Sequence, residues 1–304
     1  MSDDEQSMLQ HFALEDDSAE GDRGDDPQVD RPQSQTQTVT RQVRLSGPMG
    51  GIYVNHHLLM GAQDKPNFLT GSDQDDEIHG GERDDIVLGQ SGNDMLFGEG
   101  GDDIIEGDEG IDCLRGGDGN DNLDGGDDHD SLQGERGNDV LTGGQGADNL
   151  LGGEGHDVLI GGTGNDSLSG EEGDDIYRFE KGDGKDAIWN AGDSSFSSAG
   201  VNYNDRIEYG SGITRDQLWF QRSGQTLLVT NIETGDSQRV KLWYEGENNR
   251  IDEFCLDDGS RLPEARVEAL VTAMASLPMP AIGSHQLAPA YQKILDPVLA
   301  QSWQ

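Results

Sequence analysis

The chain has 304 residues, of which 61 are Asp or Glu and only 20 are Lys or Arg, giving a formal net charge of -41. That excess argues against a nucleic-acid partner, whose phosphates would be repelled. With 32% hydrophobic and 6% aromatic residues, an ordinary globular core cannot run through the whole length. The two cysteines, Cys113 and Cys255, are too few and too far apart for a disulfide framework or a CxxC-type metal site.

Residues 1–38 are acidic, rich in Gln, Ser and Thr, and lack hydrophobic periodicity, so they read as a disordered tail. Acidic residues stand where a secretory signal would carry Lys or Arg, and no apolar run follows them. Nowhere does the sequence approach the roughly 18 consecutive apolar residues of a transmembrane segment. Residues 39–70 contain Val43, Leu45, Ile52, Val54 and Leu58, enough for one or two strands that cap the segment after them.

From Gly71 to Arg178 the sequence divides into twelve nine-residue units without insertion or deletion. Units such as GGDGNDNLD (116–124) and GGTGNDSLS (161–169) show the pattern best. Position one is always glycine, position eight is always apolar, and position six is always aspartate. The aspartates are Asp76, Asp85, Asp94, Asp103, Asp112, Asp121, Asp130, Asp139, Asp148, Asp157, Asp166 and Asp175. Glycines at positions one, two and four are expected to take positive φ and turn the backbone carbonyls toward one point. The last three residues of each unit are expected to form a short strand with its apolar side chain inward.

Two units make one coil of a flattened solenoid, because a single unit cannot bury its apolar side chain alone. Like positions then stack, and the position-six carboxylates form two columns spaced by roughly 4.8 Å, the distance between strands. Like charges so placed need a cation between them. Carboxylate and carbonyl oxygens suit calcium better than zinc or copper. Magnesium fits less well, since it demands a near-octahedral shell and keeps its waters.

These units resemble the RTX (repeats-in-toxin) family of haemolysin-type calcium-binding nonapeptide repeats. The resemblance implies an all-β fold, a right-handed parallel β-roll that forms only with calcium. It also implies calcium held between successive turns by position-six aspartates and backbone carbonyls, with about ten ions. The resemblance extends past the array: Gly182, Gly184, Asp186 and Ile188 form a shifted thirteenth turn, and YRFEKGDGKDAI (177–188) is similar to segments that close such arrays. Asp186 therefore joins the expected ligands. Over 71–178 the net charge is -27, so about ten divalent ions remove most of the repulsion opposing the fold. Non-glycine residues at positions two or four, among them Ser72, Gln74 and Arg83, lead to the expectation that the first two units bind more weakly.

The roll is thus expected over 71–188. Residues 189–262 alternate apolar and polar residues in short runs (DQLWF, TLLVT, RVKLWY, RIDEFCL) and read as a small β module. Residues 263–304 read as a tail with two short helices. By the family resemblance this tail carries a type I secretion signal, the partners being calcium ions and the type I export machinery. The expected function is a secreted, extracellular calcium-binding protein that folds after export and is not an enzyme. HExxH, GxSxG and P-loop motifs do not occur in the sequence. An alternative is an adhesin or host-interaction protein, or a toxin fragment, that uses the roll as a scaffold toward a host or matrix surface.

Overall fold

The computed structural model describes residues 37–45, 52–63, 65–190, 203–246 and 249–304, with side chains from Leu58 onward. The expected disordered tail lies almost wholly outside the described residues. The described residues hold a 12-stranded and a 10-stranded sheet. β1 (Gln37–Leu45) and β2 (Ile52–Met60) form an antiparallel hairpin whose second strand pairs in parallel with β4 (Asp76–Gly81).

From β3 (Phe68–Thr70) to β16 (Lys185–Ile188) the strands alternate between the two sheets. Each strand pairs in parallel with the one two places on, at a register of 18 residues, as in Leu114↔Leu132↔Leu150, except that β14 (Ser167–Glu172) meets β16 at a register of 20. This is the parallel β-roll: nine residues cross from one sheet to the other, and eighteen return the chain one strand higher. Every position-eight side chain from Ile78 to Tyr177 points between the sheets and is at most 1% exposed. Burying each contributes about 2 kcal/mol, which a lone unit cannot obtain.

Two local expectations need correction. The strands are six residues long in most units, as in β8 (Cys113–Asp118) and β9 (Asn122–Asp127), because ladder pairing continues through the glycines at positions one and two. Position-one glycine is not at positive φ; those values fall at positions two and four, as at Gly117 (115°) and Gly119 (151°). Its glycine is required by space instead. A Cβ on Gly125 would stand 2.5 Å from Asp130 Oδ2 and 2.7 Å from the Gly143 carbonyl oxygen. Position two tolerates side chains, and Gln90, Glu99, Asp108, Glu135 and Glu171 sit there in left-handed conformation at φ 72–83°.

Beyond β16 the same two sheets continue. β17 (Arg206–Tyr209) and β21 (Glu253–Leu256) add parallel strands to the sheet of β3, and β22 (Arg261–Pro263) closes it antiparallel. On the other sheet β20 (Ser237–Val240) pairs in parallel with β16, followed by β19 (Thr226–Asn231) and β18 (Leu218–Ser223) in a meander. The aliphatic seam here becomes aromatic, with Phe220 and Phe254 meeting edge-on at 5.6 Å between the sheets. Two helices, α1 (Glu264–Ala275) and α2 (Pro289–Ser302), cover this end. α1 buries Val267, Leu270, Val271 and Met274, and Met274 Sδ accepts the Phe220 N–H at 3.1 Å.

Leu132→Ala, in mid-seam, is expected to destabilise the calcium-loaded fold by about 3 kcal/mol, while the outward Val140→Ala changes it by less than ~0.5 kcal/mol. Denaturant unfolding in saturating calcium measures both. Gly125→Ala is expected to lower stability by about 1–3 kcal/mol through overpacking against Asp130, and to weaken calcium binding at that turn by calorimetric titration.

Candidate metal centre

The structure arranges all thirteen predicted aspartates in two buried columns. One runs Asp76, Asp94, Asp112, Asp130, Asp148, Asp166, Asp186; the other runs Asp85, Asp103, Asp121, Asp139, Asp157, Asp175. None is more than 4% exposed. Within each column the backbone N–H of one aspartate donates to Oδ1 of the next: Asp94 to Asp112 at 2.8 Å, Asp103 to Asp121 at 2.8 Å and Asp121 to Asp139 at 2.7 Å. At the shifted thirteenth turn the spacing grows to 20 residues, yet the Asp166 N–H still reaches Asp186 Oδ1 at 3.1 Å.

In eleven of the thirteen the other oxygen has no such donor. Oδ2 of Asp85, Asp94, Asp103, Asp112, Asp121, Asp130, Asp139, Asp148, Asp157, Asp166 and Asp186 is buried without a hydrogen-bond partner. A buried anionic oxygen left unsatisfied is costly, so a repeated set of them marks places for a positive charge. The donor set is oxygen throughout, and no group of three or more His, Cys, Asp or Glu side chains gathers at one point among the described residues. A cation here would be completed by main-chain carbonyls of the turn, a shell that suits calcium.

The electrostatics agree. Burial, opposed by the accepted backbone N–H and reinforced in most cases by neighbouring carboxylates, pushes Asp94, Asp103, Asp121, Asp130 and Asp157 up to about 7. The same causes bring Asp112, Asp139 and Asp166 to about 6 and Asp175 and Asp186 to about 8. Asp85 and Asp148 are raised as well.

The ends of one column are finished differently. Asn67 occupies the position-six place before Asp85, and its Nδ2 lies 2.9–3.1 Å from Asp85 Oδ1 and from the carbonyl oxygens of Ala62, Lys65 and Gly80. A neutral amide donor thus fills a ring of oxygens. At the far end the column runs on through Asp205, whose Oδ1 accepts the Asp175 N–H, to Asp252. There the Asn190 amide donates to Asp205 Oδ2 at 2.8 Å. In the first unit, Ser72 donates to Asp76 Oδ2 from its N–H at 2.6 Å and its hydroxyl at 3.0 Å.

Sequence reasoning missed Asp205 and Asp252, which lie outside the nine-residue register. It also missed a second ladder at position five, which is Asp, Asn or His in ten of the twelve units. Its side chains accept the N–H of the residue one coil later, as Asp102 does from Asn120 at 2.8 Å and His156 from Asp174 at 2.9 Å. The column was visible in the composition of position five; its meaning required the stacking.

Fold and site together define a parallel β-roll carrying stacked, cation-ready carboxylates. Residues 64–96, 79–114, 115–150 and 151–185 match the RTX calcium-binding nonapeptide repeat in four copies, so residues 64–185 are an RTX repeat array. The chain is also similar to a crystal structure of extracellular lipase LipA from Serratia marcescens, at 18% identity and a TM-score of 0.30, over 62% of this chain. It spans 40% of that lipase chain.

The raised carboxylates fix the sign of a pH response in calcium-free protein. Their folded values of about 6 to 8 lie above the ordinary 3.8, so the protonated form favours the fold. That contribution is fully present below about pH 3.8 and is lost as pH rises through 6 to 8. Without calcium, the far-UV circular dichroism signal of the roll is expected to grow between pH 8 and pH 5. Saturating calcium is expected to abolish this dependence near neutrality, and calcium affinity to fall below pH 6 as protons compete.

Proposed function

We propose that this is a secreted calcium-binding protein whose roll folds on binding several calcium ions, about ten, outside the cell after type I export. The observation that carries the reading is the repeated, buried, donor-free Oδ2 in two columns of position-six aspartates. In this reading Asp76 through Asp175 at nine-residue intervals, and Asp186 after them, hold calcium together with turn carbonyls. Asp85 and Asp76 hold it less tightly, since Asn67 and Ser72 already donate to them. Residues 39–70 cap the roll of 71–188, residues 189–262 are its C-terminal β module, and residues 263–304 carry the export signal.

Affinity gives the direction of the switch. Extracellular calcium modules work near 10⁻⁴ to 10⁻³ M, so submicromolar cytosolic calcium leaves the array charged, self-repelling and unfolded, in a form that can be threaded. Metal binding is then folding free energy, released on the side of the membrane where calcium is plentiful. No helix among the described residues is long and apolar enough to cross a membrane.

A calcium titration of the full chain, followed by far-UV circular dichroism and calorimetry with magnesium as control, tests this. The expected result is a cooperative coil-to-β transition taking up several calcium ions and absent with magnesium. A chain already folded at neutral pH in chelator, or one that magnesium folds equally well, would overturn it.

A further inference from the structure

Asn67 stands one coil before Asp85, in the turn between β2 and β3, and is 5% exposed. Its backbone follows the aspartate ladder: the Asn67 N–H donates to Asp85 Oδ1 at 2.5 Å, as the Asp85 N–H donates to Asp103 Oδ1 at 2.7 Å. The side chain keeps the same register. A Cβ on Gly80 would stand 2.7 Å from Asp85 Oδ2 and 2.8 Å from the Gly98 carbonyl oxygen. A Cβ on Gly61 would stand 2.7 Å from Asn67 Nδ2 and against the Gly80 carbonyl oxygen. Asn67 Nδ2 therefore occupies the place that Oδ2 holds in Asp85, Asp103 and Asp121, where that oxygen is buried without a donor.

The surroundings of Nδ2 are those of an ion rather than an amide. Four oxygens lie within 3.1 Å of it: the carbonyls of Ala62, Lys65 and Gly80, and Asp85 Oδ1. An amide nitrogen has only two hydrogens to give them. A calcium ion accepts about six to eight oxygens, carbonyl and carboxylate alike. Those four neighbours also fix which end of the amide is nitrogen, and Oδ1, on its other side, accepts the Ala62 N–H at 2.9 Å. The arrangement recurs near the far end of this column. Asn190 Nδ2 joins Asp205 Oδ2 at 2.8 Å to the Arg250 carbonyl oxygen at 2.9 Å, beside the junction where the Asp205 N–H meets Asp252 Oδ2.

We propose that the Asn67 amide takes the place of a calcium ion, so that the junction between the coils of Asn67 and Asp85 is a latent calcium site closed by a neutral group. Ion binding in this column then begins one junction later, between Asp85 and Asp103. Asn67→Asp exchanges the donating nitrogen for the oxygen that the aspartates above it carry. The four oxygens already in place then gain another carboxylate oxygen and lose their only donor, the condition that elsewhere in the column calls for a cation. The reverse exchange in mid-column, Asp121→Asn, puts a donor where an ion would sit and closes that junction without metal.

This inference rests on the calcium reading, and the two are told apart by counting ions on the wild-type chain and on both variants. The full chains are dialysed against about millimolar free calcium, bound calcium is measured by atomic emission, and far-UV circular dichroism is recorded on the same samples. Asn67→Asp is expected to bind one calcium more than wild type. Asp121→Asn is expected to bind one fewer and to keep the calcium-induced β signal. A wild-type chain that takes up no calcium overturns both readings. If wild type binds calcium, an unchanged count in Asn67→Asp overturns the amide proposal alone, since the asparagine then either ligates an ion through Oδ1 already or serves only as a cap. Failure of Asn67→Asp to fold in saturating calcium, or loss of more than one ion or of the β signal in Asp121→Asn, overturns it as well, because the amide and the ion are then not interchangeable.

Discussion

In both columns of the roll an aspartate carboxylate turns one oxygen to its neighbour's backbone N–H and holds the other inward with no donor. Stacked carboxylates of this kind lose hydration and repel one another, so the ionised columns oppose the fold that the apolar seam favours. A cation between turns reverses the sign of that term. In the proposed reading, what occupies the columns therefore decides whether the seam of Ile78 to Tyr177 forms. Glycine at position one follows from the same constraint, since the carboxylate folds back over its Cα and leaves no room for a Cβ.

The ends of the solenoid show how the demand for positive charge is met where the repeat stops. Asn67 closes one end of a column with an amide donor against Asp85, and Asn190 places another against Asp205, one place before the column reaches Asp252. The C-terminal strands do not form a separate layer. They extend both sheets, and the helices then cover the last aromatic rungs, removing the open end that a solenoid would otherwise expose. Stability of the roll and order in its C-terminal segment are coupled through shared ladders such as Ile188↔Val240 and Ile207↔Phe254.

The position-five ladder runs opposite in sense to the position-six one. At position six the later coil accepts; at position five the earlier coil accepts. The two therefore tie each turn to the coils on both sides without using the apolar seam. The position-five ladder works without a cation, and this lets neutral Asn and His substitute for Asp there, while position six admits only aspartate in all twelve units.

The strict nine-residue period determined the strand–turn alternation, the inward face, the two carboxylate columns and the class of cation, because each depends only on which residues recur at one position. The shifted turn at Asp186 was legible for the same reason. Tertiary structure decided what the period does not encode. Asp205 and Asp252 join a column from 30 and 47 residues away, through chain connections of irregular length. The glycines at position one answer to packing rather than to φ, which only the neighbouring carboxylate reveals.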